Sequence, residues 1–241
     1  MKKIFCLTFI LLLSAIGVFA QEEEEEEERT IEKSEFDVVM RAGYIKYANL
    51  AYRQKINHES FLPGNDKPGN TSKSIIEFAP TRAIRSVFES DSPTAKTRRE
   101  SIILDGKRYT RSGEGPWTEE PALLKSDKEN RAESPFEIIE EKIEYKSLGS
   151  QILDNRNVTV YAQTETKKMI HKTNRNVTVS FVTNKFWFGE DGGILKQEWA
   201  MENRIKSPQK TTESIYRHLR TTVWELDPNI KIEVPDIAKQ F

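Results

Sequence analysis

The feature that most constrains this chain is a repeated alternation of apolar and polar residues in short runs between turn residues. Val158, Val160 and Ala162 recur at every second position, as do Val177, Val179 and Phe181, and then Ile230, Ile232 and Val234. A period of two puts such residues on one face of an extended strand. Strands are predicted over 73–79, 82–89, 99–104, 107–111, 141–153 and 216–226. Between the runs stand Pro80-Thr81, Asp105-Gly106, residues 112–116, residues 154–157, residues 190–193 and Asp227-Pro228-Asn229. The two-residue Asp105-Gly106 loop favours positive φ at both positions and is the clearest hairpin signal. After residues 190–193, Leu195, Trp199 and Met201 are predicted on one side of a return strand, with Lys196 and Glu198 on the other. Residues 61–72 read as a loop. Residues 119–136 read as a charged surface excursion with a short helix over 122–125.

Only one segment has helical spacing. Phe36, Val39, Met40, Gly43, Tyr44, Tyr47, Ala48 and Ala51 make one apolar stripe, with Ser34 and Asp37 placed as a cap and its partner. Near Leu50 the pattern turns extended through Tyr52, Gln54 and Ile56. One helix and nine to eleven strands without βαβ rhythm predict an α+β, β-dominated fold: one large antiparallel sheet with helical packing.

The N-terminus is built differently. Lys2-Lys3, an apolar run from Ile4 to Phe19, and Val18-Phe19-Ala20 read as a signal peptide cleaved after Ala20. Its export implies a periplasmic or secreted protein. The chain's one cysteine, Cys6, lies inside this peptide, so the mature chain has no thiol, disulfide or cysteine-based metal site. Seven glutamates, Glu22 to Glu28, then form a self-repelling run, and residues 21–31 read as an acidic spacer. The whole chain holds 37 basic and 38 acidic residues; beyond residue 28 it holds 35 and 31, a slightly basic remainder. One domain is predicted over 32–236, followed by a tail at 237–241.

Motifs for chemistry are scarce. His58, His171 and His218 are far apart and share no spaced motif. There is no HExxH, no Gly-x-Ser-x-Gly elbow and no glycine-rich phosphate loop. Glu137, Glu140, Glu141 and Glu144 read as a solvated strand rather than a catalytic pair, because neighbouring carboxylates on a strand point to opposite faces. Arg82, Arg85, Arg98, Arg99, Lys107, Arg108 and Arg111 could be gathered by strand pairing, but the net charge is too small for a nucleic-acid surface. No enzymatic activity and no cofactor are predicted. Trp117, Trp187, Trp199 and Trp224 all lie in or beside predicted strands, where they either fill a core or line an apolar cavity between sheet and helix.

The order of elements resembles a known group. An amphipathic first helix is followed by a strand into Phe78-Ala79-Pro80, a second strand over 82–89, then Asp105-Gly106-Lys107 and Tyr109, and an ending from Trp224 through Asp227-Pro228-Asn229 to Pro235. This resembles the LolA/LolB-like periplasmic lipoprotein carriers, their LppX/LprG-type lipid-binding relatives and the N-terminal domain of RseB. The resemblance implies an open antiparallel half-barrel covered by helices, with an apolar interior for lipid or lipoprotein acyl chains. It implies a carrier or chaperone in peripheral contact with a membrane or, on the RseB side, a sensory module with an envelope protein partner. Trp117, Trp187, Trp199, Trp224, Tyr44 and Arg85 are the expected ligand-binding residues. Where LolA-like carriers have an arginine just before the strand-ending proline, this chain has Ala79, with Arg82 and Arg85 nearby.

Overall fold

The computed structural model describes residues 28–122 and 134–235. The expected signal peptide, most of the glutamate run, the short helix expected at 122–125 (beyond Ala122) and the tail lie outside the described residues. In chain order the elements are β1 (Arg29–Ile31), α1 (Lys33–Ile45), β2 (Tyr52–Phe61), β3 (Asn70–Phe78), β4 (Ile84–Asp91), β5 (Lys96–Leu104), β6 (Lys107–Ser112), β7 (Thr118–Pro121), β8 (Phe136–Leu153), β9 (Arg156–His171), β10 (Val177–Gly189), β11 (Ile194–Lys206) and β12 (Ser214–Leu226). The twelve strands form one antiparallel sheet in the order β1-β8-β9-β10-β11-β12-β2-β3-β4-β5-β6-β7.

The β-dominated class stands, with two corrections. The strand number exceeds the expected nine to eleven, because Arg29–Ile31, placed in the spacer, pairs with Tyr145–Ser147, and Thr118–Pro121, placed in the surface excursion, pairs with β6. Among the described residues there is one helix, not a covering layer of several. The polar stretch 164–171 is strand as well, held between β8 and β10 on both sides. Conversely, the alternating residues 230–234 make no strand; Ile230 is buried, but that segment pairs with no neighbour. Asp105 and Gly106 have φ of 50° and 75°, as the hairpin reading requires.

Cross-strand partners share a face, so the registers sort every side chain onto one of two surfaces. The inner face carries α1. Phe36 from the helix and Tyr47 just past its end pack on Phe186, Phe188, Ile194 and Trp224, with Ile31 completing the buried cluster. The helix approaches closely because Gly43 faces the sheet: a Cβ there would lie 2.6 Å from Phe188 Cε1 and 2.7 Å from an Ile194 side-chain carbon. The Tyr47 hydroxyl donates to the Ile194 carbonyl at 2.6 Å, and burial pushes its pKa up to about 12. Just past the helix, Lys46 pairs with Asp191 in the β10–β11 turn. That ion pair and the Gly193 amide hold the Asp191 carboxyl below its ordinary pKa. The helix begins at Lys33 rather than being capped by Ser34. Glu32 is the cap and makes no side-chain bond, because β1 runs straight into the helix and sets its start.

The outer face holds a second apolar cluster, Val158, Val160 and Trp187 with Leu148, Leu153 and Leu195. Leu195 was expected beside Trp199. A register shift at Trp187/Phe188 instead places it with Trp187.

Candidate functional site

α1 packs against the β8–β12 half of the inner face, at Tyr145, Tyr161, Phe186, Phe188, Ile194 and Trp224. Over β4–β7 the same face forms a groove of about 730 Å³, lined among others by Ser101, Ile103, Thr110, Arg99, Arg108 and the Glu120 carboxylate. Successive register rows give this surface a graded chemistry. One row runs Tyr52, Phe78, Ile84, Ile103, Arg108. Its apolar part begins at the Tyr52–Phe78 stack, 4.4 Å between ring centroids, and Tyr52 in turn meets Tyr47 of the helix core at 5.0 Å. The next row, Ile76, Ser86, Ser101, Thr110 and Thr118, presents hydroxyls. The row beyond it brings Phe88 beside Arg99.

Between β10 and β6, the registers place no carboxylate on the inner face among the described residues. Its charged or titratable side chains there are Arg99, Arg108, Arg220, His58, His218 and the tyrosines. Across the β7 edge, Glu120 faces Arg108 at 3.9 Å. Inside that rim, the stretch from β10 to β6 favours apolar groups and anions over cations.

The outer face of the same strands is an ion-pair ladder. Arg53 meets Glu77 at 2.7 Å and Asp227 at 3.4 Å. Arg85 bridges Glu77 at 3.5 Å to Glu100 at 3.8 Å. Arg98 and Arg111 close on Glu100 at 2.8 and 2.9 Å. Glu100 is 1% exposed. Burial alone would raise its pKa, but Arg111 and Arg98 outweigh burial and hold the carboxyl below its ordinary value. Strand pairing thus gathers the arginines as anticipated, but onto both faces: Arg85, Arg98 and Arg111 outside, Arg99 and Arg108 inside. Arg82 sits in the β3–β4 turn at φ 64°.

The six expected ligand-binding residues do not converge. Trp224 is buried in the core under α1. Trp187 is buried on the outer face, with the Lys196 ammonium 4.8 Å from its ring centroid. Trp117 follows β6 and stacks with Arg111, 4.8 Å from ring centroid to guanidinium carbon. Arg85 belongs to the outer ladder. Only Trp199 and Tyr44 come near one another's neighbourhood, through Arg220. Its guanidinium lies 5.4 Å from the Trp199 ring centroid, and its charge partly offsets the rise that burial gives Tyr44's pKa. Parity explains the dispersal: Trp187 and Trp224 occupy rows of opposite face, and a tryptophan count carries no parity.

Sequence reasoning missed the pairing of His58 with His218. The β12–β2 register sets His58 opposite Arg220 and His218 opposite Ser60. The imidazoles stack at 5.7 Å and 15°, and Ser60 Oγ lies 3.0 Å from His218 Nδ1. The available signal was period two in each of the two strands, but the register that joins them spans most of the chain. No three potential metal ligands converge among the described residues, and no helix among them is long and apolar enough to cross a membrane.

No family model matches the chain, and no curated protein matches it. Among solved structures, a crystal structure named for an outer membrane lipoprotein-sorting protein domain from Vibrio parahaemolyticus aligns over 80% of this chain and 93% of that one. The identity is 9% and the TM-score 0.25. A superposition that loose carries no argument, so any functional reading of this chain rests on its own inner face.

Proposed function

We propose that this is a non-catalytic envelope protein that carries a hydrophobic or lipidated ligand, a lipid or the acyl chains of a lipoprotein, on the open half of its inner face. One observation carries the reading: the groove over β4–β7 continues an apolar row, Phe78, Ile84 and Ile103, and the carboxylate at its β7 rim, Glu120, is paired with Arg108. Its volume of about 730 Å³ falls in the range that holds small-molecule ligands. The acyl chain lies along the apolar row, and the hydroxyls and arginines meet the polar end. The leader-like residues 1–20 support export, and delivery would be by peripheral contact with a membrane.

The test is organic extraction of the purified mature chain followed by lipid mass spectrometry, with displacement of a fluorescent fatty acid as a second measurement. A near-stoichiometric lipid, lost in Ile103→Glu while the fold persists by circular dichroism, is the expected result. No extractable lipid together with no fatty-acid displacement overturns the proposal.

A second reading, a sensory or protein-interaction module, draws on a different place. β1 pairs only with Tyr145–Ser147, so among the described residues the outward edge of β8 from Phe136 to Glu144 has no neighbour. Ile138 and Ile139 there are 53% and 51% exposed. Such edges accept an added strand. Recovery from envelope extracts of a stoichiometric protein and no lipid, abolished by Ile139→Pro, favours this reading.

A further inference from the structure

A second charged feature of the inner face lies outside the groove. Arg220 and His58 occupy one register row and His218 the next, on β12 and β2. From Arg220 to Arg99 is four strand spacings, roughly 19 Å, so this cluster is a place of its own. Four observations distinguish it from an ordinary surface. The Arg220 guanidinium is held by Trp199 at 5.4 Å, and no carboxylate shares its face from β10 to β6. Neither ring nitrogen of His58 and no Nε2 of His218 has a hydrogen-bond partner among the described residues, His218 Nδ1 being the nitrogen beside Ser60. The surrounding inner-face side chains, Ser60, Ser72, Asn203 and Tyr216, are neutral and can hydrogen-bond.

We propose that Arg220, His58 and His218 form an anion-recognition subsite for a phosphate or carboxylate group. The planar guanidinium offers paired donors to such an oxyanion. The two imidazoles add donors, and positive charge once protonated. The subsite does not depend on the groove being a lipid site, since a free anion would occupy it equally well.

Protonation governs its strength. The groups bearing on His58 are His218 and Arg220, which oppose its charging, and Glu59 on the outer side of β2, which favours it weakly; Tyr44 of α1 stands near Arg220. Burial, then His218 and Arg220, lower the His58 pKa from its ordinary value, so near pH 7 His58 is mostly neutral. Acid charges it, and a bound anion offsets the repulsion. Anion affinity therefore rises as pH falls.

Inorganic phosphate titrated into the full mature chain, followed by calorimetry and by histidine proton resonances, tests this. Binding at pH 5.5 at least tenfold tighter than at pH 7.5 is expected. Arg220→Gln should weaken it tenfold or more at both pH values, with Arg220→Lys restoring part. His58→Gln with His218→Gln should abolish the pH dependence. Lys55→Gln, on the outer face of β2, should change nothing. Acetate, dodecanoate and dodecyl phosphate separate the sources: a preference for the long-chain forms assigns a lipid headgroup, and parity with the free ions assigns a small anion. No phosphate binding at pH 5.5, or binding lost in Arg99→Gln and kept in Arg220→Gln, overturns the subsite. Either result leaves the lipid extraction above to be judged separately.

Discussion

The two faces of strands β2 to β6 share one backbone but opposite chemistry. Outside, charges alternate in sign and pair across strands, from Lys55 and Glu225 at 2.6 Å to Arg98 and Arg111 on Glu100. Inside, the same strands carry serines, threonines, aliphatics and a few cations. An ion-pair ladder suits a surface that meets only water, with its one buried carboxylate fully paired. A face left unpaired and free of carboxylates suits a surface that is to be covered by something else. If the proposed function holds, stability and binding fall on opposite sides of strands β2 to β6, and substitutions there can separate them.

The largest expected effect is on the outer face. Glu100→Gln leaves Arg98, Arg111 and Arg85 around a neutral group, and should lower stability by about 3 kcal/mol, read as a reduced denaturation midpoint with unchanged ligand binding. Gly43→Val tests the helix seat on the inner face. The added carbons collide with Phe188 and Ile194, and a loss of about 2 kcal/mol is expected, with a fall in thermal midpoint. Tyr47→Phe removes the bond to the Ile194 carbonyl and should cost about 1 kcal/mol by the same measurement. Smallest in stability is Ser101→Asp on the groove floor, expected to stay within about 0.5 kcal/mol of the parent while reducing fatty-acid binding at least tenfold. If Ser101→Asp unfolds the chain, or Glu100→Gln abolishes binding, the division between faces fails.

Acid should act on the faces in different windows. His58 has a folded pKa below its ordinary 6.5. The contribution of its neutral form is full above 6.5 and is lost as pH falls through the lower folded value. Glu100 has a folded pKa below its ordinary 4.5, so its contribution is full above 4.5 and is lost only at still lower pH. Thermal melts against pH should show two steps. His58→Gln should remove the first and Glu100→Gln the second.

Much of this architecture was legible from residue order. Val158, Val160 and Ala162 are buried on one face as their spacing predicts, and the Asp105-Gly106 hairpin is where its φ preferences put it. Short charged edge strands were not legible. Arg29–Ile31 and Thr118–Pro121 are too short to establish a period, and they exist because a longer neighbour offers them a ladder. Residues 230–234 teach the converse, since alternation without a neighbour makes no strand. The site was less legible than the fold. Face parity is local, but which row meets which depends on β12 pairing with β2, and no short motif encodes that register. The tryptophans misled because size and apolarity suggest a cavity on either face.

The strand order has a consequence for how the molecule comes into being. β2 to β7 form one meander of successive hairpins, and β8 to β12 form another. Each can zip up locally as it is synthesised, whereas the β12–β2 seam joins residues such as Ser60 and His218, 158 apart, and must wait for both. A nascent or truncated chain ending before β12 therefore possesses two half-sheets but no His58–His218 pair, and no floor continuous from the helix to the groove. The seam, with the His58–His218 pair that it joins, is the last part of the protein to exist, and its arrival marks the completion of folding.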